Sequence, residues 1–328
     1  KPRPDVFITV CLSLYNFEKT ALRAVDSLLA QTFDNFEIII SDDGSTDKSV
    51  EILLTFLKSY SGKIRIRLYQ ATENKGILFN RLRGMFLGEG ELFVLTDGDD
   101  FSMPDRLKKI TDCWQSLSPS PSILATNAYH WYEDRQKANG ACVLAESVFY
   151  PPDDPVYGRN LAFSAGFVIS RKLFEAFRGS MPQTRIIADD PVFARRALLC
   201  DGMYFLQTPL FYYGTSRSSA SGKGVSGKDW ILDRIHRWDL LLQDIAHIRP
   251  DHAVPEAIRK QIMHERGKME IDAKGIDCGL WIWWYYWLRM ILLSPRESVA
   301  MLKKRIKLIL LGSVNASIKK SKGSRRRA

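Results

Sequence analysis

The chain has 328 residues, of which 45% are hydrophobic and 26% are charged, with a formal net charge of +10 at pH 7. These values predict a folded protein with a large core and exclude a disordered chain. Five scattered cysteines without a paired motif exclude a disulfide framework and favour a reducing compartment. Residues 298–328 hold ten Lys or Arg and no Asp or Glu, so the positive charge is concentrated near the end of the chain.

The N-terminal part of the chain alternates apolar runs with segments of helical periodicity. Strands are predicted at residues 6–14, 36–40 and 64–69, and helices at 18–31, 47–60 and 76–87. A fourth apolar run, Leu92–Leu95, follows the last of these helices. Short strands that alternate with helices indicate an α/β fold, with a mostly parallel sheet and helices on both faces. Ligands of such folds bind at the carboxyl ends of the strands.

Three carboxylates, Asp97, Asp99 and Asp100, directly follow the fourth apolar run. Carboxylates this close repel one another and have raised pKa values unless a cation lies between them. A divalent ion with oxygen ligands, completed by substrate phosphates, is the usual partner of such a group. The alternative is a solvated acidic turn before a helix, with Pro104 in the first turn of that helix.

Six motifs in the first 110 residues resemble the family 2 glycosyltransferases of GT-A fold. In chain order they are Ser13–Asn16, Ser27–Phe33, Glu37–Ile40, Asp42–Asp47, Asn74–Gly76 and Leu95–Asp100. The resemblance continues in weaker form to about Ser221. It implies a Rossmann-like GT-A domain over residues 1–225, followed by a helical region over residues 226–328. Less readable segments at 123–128, 143–150 and 160–170 are predicted to add further strands.

The resemblance also implies a nucleotide-diphosphate sugar as donor. The positions that would hold it are Ser13, Tyr15, Asp42, Asp43, Asp47, Arg81 and Asp97. Asp99 would ligate Mg²⁺ or Mn²⁺ between the two phosphates. Arg81 occupies the position of an arginine that the family uses near the diphosphate. The alternative is that Arg81 is an exposed helix residue. Leu82 departs from the family pattern, which has Asn there.

A second acidic pair, Asp189 and Asp190, stands at the predicted start of a helix before Pro191. By position in the family, Asp190 is the general base that activates the acceptor hydroxyl. A carboxylate within hydrogen-bond reach of that hydroxyl suits this chemistry, and one direct displacement predicts an inverting transferase without a covalent intermediate. A bound metal would neutralise the leaving diphosphate. The alternative is that Asp190 is an ordinary helix cap.

The chain departs from the family again at Gly214 and Ser216, where relatives carry Tyr-Arg-x-His. Either the metal has fewer protein ligands or another residue supplies the contact. Residues 216–223 are predicted to form a mobile lid. Arg234–Trp238 looks like a variant of the Gln-x-x-Arg-Trp motif of processive polysaccharide synthases, which offers a second interpretation of the helical region.

The C-terminal region is predicted to bind an anionic membrane surface. Gly279–Leu293 holds four of the eight tryptophans, and Glu297–Leu311 and Lys319–Arg327 add basic amphipathic character. This pattern predicts a cytoplasmic protein that is peripheral on the inner face of the membrane. The alternative is a helical cap packed on the sheet. No nucleic-acid-binding fold accompanies the basic tail, so nucleic acid is not an expected partner.

The sequence thus predicts an enzyme that moves a sugar from a nucleotide-diphosphate donor to a hydroxyl of a glycan or lipid-linked acceptor. A catalytically inactive GT-A scaffold at the membrane is the alternative. A nucleotidyltransferase also needs metal and carboxylates, but the order of the motifs fits it less well.

Overall fold

A computed structural model describes residues 6–143, 146–152, 164–215 and 227–248. The strands are β1 (Ile8–Leu14), β2 (Phe36–Asp42), β3 (Arg65–Gln70), β4 (Leu92–Asp97), β5 (Phe101–Ser102), β6 (Ile123–Tyr132), β7 (Lys137–Ala141), β8 (Val148–Tyr150), β9 (Phe167–Ser170) and β10 (Met203–Thr215). The helices are α1 (Ala21–Leu29), α2 (Ser49–Ser59), α3 (Ile77–Leu87), α4 (Arg106–Ser116), α5 (Arg171–Ala176), α6 (Asp190–Leu199) and α7 (Gly227–Ile248). A short 3₁₀ helix, Ser164–Gly166, precedes β9.

All ten described strands belong to one sheet, with the main order β3-β2-β1-β4-β9-β6-β10-β5. The first four of these strands are parallel. Strand β9 is antiparallel to both β4 and β6, and β10 is again parallel to β6. The predicted α/β fold is confirmed, with its parallel half built from the βα repeats that the sequence indicated.

Helices cover both faces of the parallel half, and every residue of β1 is buried. Alternate residues of β1, among them Val10 and Leu12, are fully buried in a core that includes α1, α2 and α4. On the opposite face, Gly84 of α3 lies within van der Waals distance of Cys11, leaving just enough room for a methyl group. The sheet is therefore held rigidly at the strand ends that carry the polar loops.

The second half of the sheet differs from the sequence prediction in several strands, and β5 and β7 were not predicted at all. The segment predicted at 143–150 forms a strand only at β8, and β10 is a 13-residue strand that the sequence pattern did not indicate. Strand β10 contains Pro209, and its register against β6 shifts on both sides of that residue. These irregularities interrupt the period-2 pattern that identifies a strand in a sequence.

Helix α7 contributes to two compact units. Residues 6–215 and 239–248 belong to the first unit, and residues 227–238 belong to the second. In the first unit, Arg196 of α6 forms a buried ion pair with Asp244, with Nε 2.9 Å from Oδ2. The hydroxyl of Ser180 donates to the same carboxylate. These contacts fix the end of α7 to α6. The predicted domain boundary at residue 225 stays a prediction.

Several predicted features fall on residues that the structure does not describe. They are the lid at 216–223, the aromatic segment Gly279–Leu293 and the basic segments Glu297–Leu311 and Lys319–Arg327. Within the described ranges, no helix combines the length and the hydropathy needed to cross a bilayer.

Candidate active site

The polar loops meet at one edge of the sheet because β1, β2 and β4 run parallel and end at the same level. Ser13 of β1 is in register with Ser41 on one side and with Asp97 on the other. Leu14 is likewise in register with Asp42. The predicted donor-binding positions of these strands are thus brought together.

Asp97, Asp99 and Asp100 form an acidic cluster in which one carboxylate oxygen of each lies within 4.8 Å of the others. Burial raises the pKa of all three, that of Asp99 to about 7. The charge of Asp97 adds to the rise at Asp99, and the charges of Asp99 and Asp97 add to it at Asp100. Asp97 pairs with an arginine, and Asp100 accepts a hydrogen bond from the backbone N–H of Gly214 at 2.9 Å. Among the described residues, the carboxylate of Asp99 has no ion-pair partner.

This cluster fits a divalent cation. Its donor set is made of carboxylate oxygens, which Mg²⁺ and Mn²⁺ prefer, and a cation would stabilise the ionised carboxylates against the burial that raises their pKa values. The unpaired carboxylate of Asp99 is the best placed of the three to act as a ligand. The alternative of a solvated acidic turn does not fit the acidic cluster, because Asp100 is only 1% exposed.

Arg81 connects the acidic cluster to the second acidic pair. Its Nη2 donates to both carboxylate oxygens of Asp97 at 2.9 Å, and its Nε lies 2.9 Å from Oδ2 of Asp189. Burial alone would lower the pKa of Arg81, but Asp189 and Asp97 raise it above the ordinary value. The side chain is 2% exposed, so the alternative of an exposed helix residue is wrong. Its Nη1 is buried without a hydrogen-bond partner in the described part of the chain.

The second acidic pair is held by the 3₁₀ helix before β9. The backbone N–H of Ser164 donates to Oδ1 of Asp190, and its hydroxyl donates to Oδ1 of Asp189 at 2.9 Å. Burial and the charge of Asp189 raise the pKa of Asp190 to about 6, while the hydrogen bonds from Ser164 oppose that rise. Helix α6 starts at Asp190, and its N-cap, Asp189, makes no side-chain cap hydrogen bond. The helix-cap interpretation therefore does not account for either carboxylate.

Two predicted donor-binding residues, Ser13 and Tyr15, have side chains available for a ligand. Ser13 is 3% exposed, and its hydroxyl has no hydrogen-bond partner in the described part of the chain. A buried hydroxyl without a partner costs free energy, which favours a site that a ligand or water completes. Tyr15 follows β1 and is 40% exposed.

The other three predicted donor-binding residues, Asp42, Asp43 and Asp47, already have partners within the protein. Asp42 accepts hydrogen bonds from the backbone N–H groups of the next turn, and Asp43 accepts from those of the loop before α3. Burial would raise the pKa of Asp47, but hydrogen bonds from Ser49 and from the backbone of Glu18 lower it. These three carboxylates shape the loops around the site, and their contact with a nucleotide stays a prediction.

Comparison with known proteins relates this part of the chain to a protein family. Residues 9–151 match the family model described as glycosyl transferase family 2. An uncharacterised glycosyltransferase of Nostoc sp. is 36% identical over 109 residues, which cover 33% of this chain and 33% of that protein. Residues 9–151 form a glycosyl transferase family 2 domain. The resemblance drawn from the six motifs is confirmed.

Other relatives match a similar share of the chain. Glycosyltransferase GlyG of Streptococcus pneumoniae is 28% identical over 127 residues, covering 39% of this chain and 40% of GlyG. The first relatives are matched over about a third of their length, 33% for the Nostoc protein. The crystal structure of S. aureus TarS residues 1–349 with UDP-GlcNAc has a TM-score of 0.62 at 17% identity, covering 90% of this chain and 83% of that chain. This likeness confirms the GT-A fold.

One charged residue of the glycosyltransferase domain, Arg106, escaped the sequence reasoning. It is fully buried behind the acidic cluster and donates to the carbonyl oxygens of Leu95 at 3.0 Å and Ala165 at 2.9 Å. Burial lowers the pKa of Arg106 to about 10, against the opposing effect of Asp100 and Asp97. It therefore stays charged at neutral pH and supplies a permanent counter-charge. Because Arg106 and Ala165 are far apart in the sequence, no local pattern indicates this role of Arg106.

Gly214 explains one of the departures from the family. A Cβ at this position would lie 2.8 Å from the carbonyl carbon of Asp99 and would clash with its carbonyl oxygen. The position that carries arginine in relatives therefore has no room for a side chain on this backbone. Ser216, at the position of the histidine, lies outside the described residues. The Arg234–Trp238 motif lies on α7, where Arg237 forms an ion pair with Asp233 of the same helix at 2.8 Å.

Replacing Gly214 with Ala is expected to lower the free energy of unfolding by about 1–3 kcal/mol, the usual cost of inserting a methyl group where there is no space. Urea unfolding measures the change. The matched control is Gly140→Ala, because a Cβ at Gly140 of β7 has no neighbour within 4 Å. If the two substitutions lowered the free energy of unfolding equally, the close contact between β10 and the backbone of Asp99 would be contradicted.

Proposed function

We propose that the protein is an inverting glycosyltransferase that moves a sugar from a nucleotide-diphosphate donor to an acceptor hydroxyl. The observation that carries this proposal is the pair of ion contacts by which the buried Arg81 joins Asp97 of the acidic cluster to Asp189 of the second acidic pair. These contacts join a cation-binding group to an acidic pair in which one carboxylate, that of Asp190, has a raised pKa. A group-transfer site needs these two parts close together and fixed in place.

In the proposed reaction, Asp190 accepts the proton of the attacking hydroxyl. Its carboxylate must be ionised to do so, and a pKa near 6 matches a base that works near neutral pH. Ser164 fixes the carboxylate by its backbone N–H, and Asp189 is fixed by Ser164 and Arg81. Because the hydroxyl attacks the anomeric carbon directly, the configuration at that carbon is inverted.

On the donor side, the proposal assigns Ser13 and Tyr15 to the nucleoside, with Asp42, Asp43 and Asp47 shaping the surrounding loops. Asp97 is assigned to the ribose, and Nη1 of Arg81, which has no hydrogen-bond partner among the described residues, is assigned to the diphosphate. A divalent ion, Mn²⁺ or Mg²⁺, would be ligated by Asp99 and would stabilise the negative charge of the leaving diphosphate. Aromatic stacking and buried hydrogen-bond donors are the usual means of holding a nucleotide in such a cleft.

The acceptor is proposed to be a glycan or a lipid-linked saccharide at an anionic membrane surface on the cytoplasmic side. The support for this part is the sequence of residues 279–328, with its aromatic and basic segments. A basic surface with aromatic anchors favours binding to anionic lipids, which would bring the active site to a membrane-bound acceptor.

Nucleoside diphosphates are expected to bind only when a divalent ion is present, and the substitution Asp99→Ala is expected to abolish this binding. Because the crystal structures of TarS include a complex with UDP, UDP is the first probe, followed by GDP and dTDP. Calorimetric titration with and without Mn²⁺ gives the affinities. Removal of partners that only support metal ligands already costs about 10- to 100-fold in metal affinity, so loss of a ligand should cost at least that much.

The matched control for this titration is Asp112→Ala, because Asp112 is exposed and pairs with Lys108 of the same helix. Its nucleotide affinity should equal that of the unmodified protein. If none of the three nucleotides binds in the presence of Mn²⁺, the transferase is excluded and the inactive scaffold becomes the better interpretation.

A further inference from the structure

His130 lies on β6, on a strand face that packs against the segment holding the proposed general base. Side chains alternate along a strand, so Ala128, His130 and Tyr132 share a face. Ala128 is fully buried against Ala165, which directly follows Ser164 of the 3₁₀ helix. This face of β6 therefore packs against the segment whose Ser164 donates to the second acidic pair.

The imidazole of His130 is incompletely satisfied. Its Nδ1 is buried, and within the described ranges it has no hydrogen-bond partner. The ring lies between two tyrosines, with its centroid 6.3 Å from that of Tyr132 and 6.4 Å from that of Tyr213. A buried ring nitrogen without a partner costs free energy, so such an atom favours a place where a ligand or water supplies the missing hydrogen bond.

Tyr213 links His130 to the acidic residues of the site. The two residues are in register between β10 and β6. Burial raises the pKa of Tyr213, and Asp100, Asp97, Asp99 and Asp190 raise it further. The phenol therefore stays protonated at neutral pH and lies near both acidic groups.

The order of the strands separates this surface from the donor site. The proposed nucleoside-binding residues follow β1 and β2, and the cation-binding residues follow β4. Strand β6 lies beyond β4, with β9 between them. The acceptor hydroxyl must reach Asp190 from a side that the donor does not occupy, and the face of β6 that carries His130 meets that condition.

We propose that His130 and Tyr213 form an acceptor subsite, in which the imidazole hydrogen-bonds a hydroxyl of the acceptor sugar and the tyrosine ring supports the sugar. This inference rests on the proposed function and names the residues on its acceptor side. Sugar rings combine apolar faces with hydroxyl groups, so an aromatic ring beside an unpaired nitrogen suits a saccharide. Imidazole is a less favoured ligand of Mg²⁺ or Mn²⁺ than carboxylate, which argues against His130 as a replacement ligand for the cation.

The test measures binding of methyl glycosides of glucose, galactose, mannose and N-acetylglucosamine in the presence of Mn²⁺ and the nucleoside diphosphate that the protein binds. The substitution His130→Leu should weaken glycoside binding by about tenfold, the effect of losing one good hydrogen bond. His130→Gln keeps a hydrogen-bonding group and should restore most of the affinity. Nucleotide affinity should be unchanged in both variants.

The control is His247→Leu, because the ring of His247 is exposed on α7 and contacts the carbonyl oxygen of Ala176. It should leave all affinities unchanged. The inference is overturned if His130→Leu binds glycosides normally, or if its affinity for Mn²⁺ and nucleotide falls in parallel. It is also overturned if the unmodified protein binds the nucleotide but none of the glycosides. Failure of nucleotide binding itself would instead contradict the proposed function.

Discussion

Replacing Asp190 with Asn is expected to slow sugar transfer by about 100- to 10,000-fold, the usual contribution of a positioned general base. The amide has nearly the shape of the carboxylate and can still accept the hydrogen bond from Ser164, but it cannot take a proton. Nucleotide affinity should therefore be unchanged. Transfer is measured as release of UDP from UDP-sugars, or of the nucleotide that calorimetry identifies.

The pH dependence of the unmodified enzyme should follow the same carboxylate. Burial and the neighbouring Asp189 raise the pKa of Asp190 to about 6. Only the ionised form accepts a proton, so the transfer rate should be full well above pH 6 and should fall as the pH drops through that value. The residual activity of Asp190→Asn should lack this acidic limb.

The control for the general base is Asp201→Asn. Asp201 is partly exposed and forms an ion pair with Lys172 at 2.8 Å on the surface. Surface substitutions of this kind leave function and stability nearly unchanged. Equal rates for Asp190→Asn and the unmodified enzyme would exclude Asp190 as the base.

Replacing Arg81 with Met is expected to lower the free energy of unfolding by about 3–5 kcal/mol, the range for removing one partner of a buried ion pair. The buried carboxylate of Asp189 and the partly buried carboxylate of Asp97 would lose their counter-charge together. Urea unfolding measures the loss. Arg81→Lys should recover only part of it, because a single ammonium cannot reproduce the planar fork that contacts both carboxylates.

A second substitution separates the charge effect from the loss of packing. Arg81→Met combined with Asp189→Asn removes one of the unpaired charges and should be more stable than Arg81→Met alone. The control is Arg178→Met, since Arg178 is 51% exposed and pairs with Glu175 on the surface. A loss for Arg81→Met as small as that of the control would show that the ion pairs contribute little.

The parts of the fold that could be predicted from the sequence are those with local signals. Strands β1 to β4 and helices α1 to α3 repeat apolar runs and turn residues at regular spacing, and their carboxylates follow directly in the chain. Because parallel strands end at one edge, the meeting of Ser13 with Asp97 followed from the topology. The same reasoning gave the acidic cluster.

The rest of the site depends on contacts between distant residues, which leave no local pattern. No sequence pattern near Arg81 indicates that it pairs with Asp189. Likewise, no pattern near Gly214 indicates its close contact with the backbone of Asp99. For the same reason, Asp42 and Asp43 could not be recognised as acceptors of backbone hydrogen bonds. Their motif marked the right loops, but the partners of each carboxylate are set by tertiary packing.

The buried contact between Arg196 and Asp244 has a consequence for how the chain can be divided. A gene shortened to end at residue 225 would leave the guanidinium of Arg196 inside the protein without its carboxylate. An unpaired buried charge is strongly destabilising, and Ser180 would lose its acceptor as well. Residues 1–225 are therefore not a sound unit for expression, and the shortest stable fragment should extend at least through Ile248. The end of α7 therefore stabilises α6, the helix that begins at Asp190.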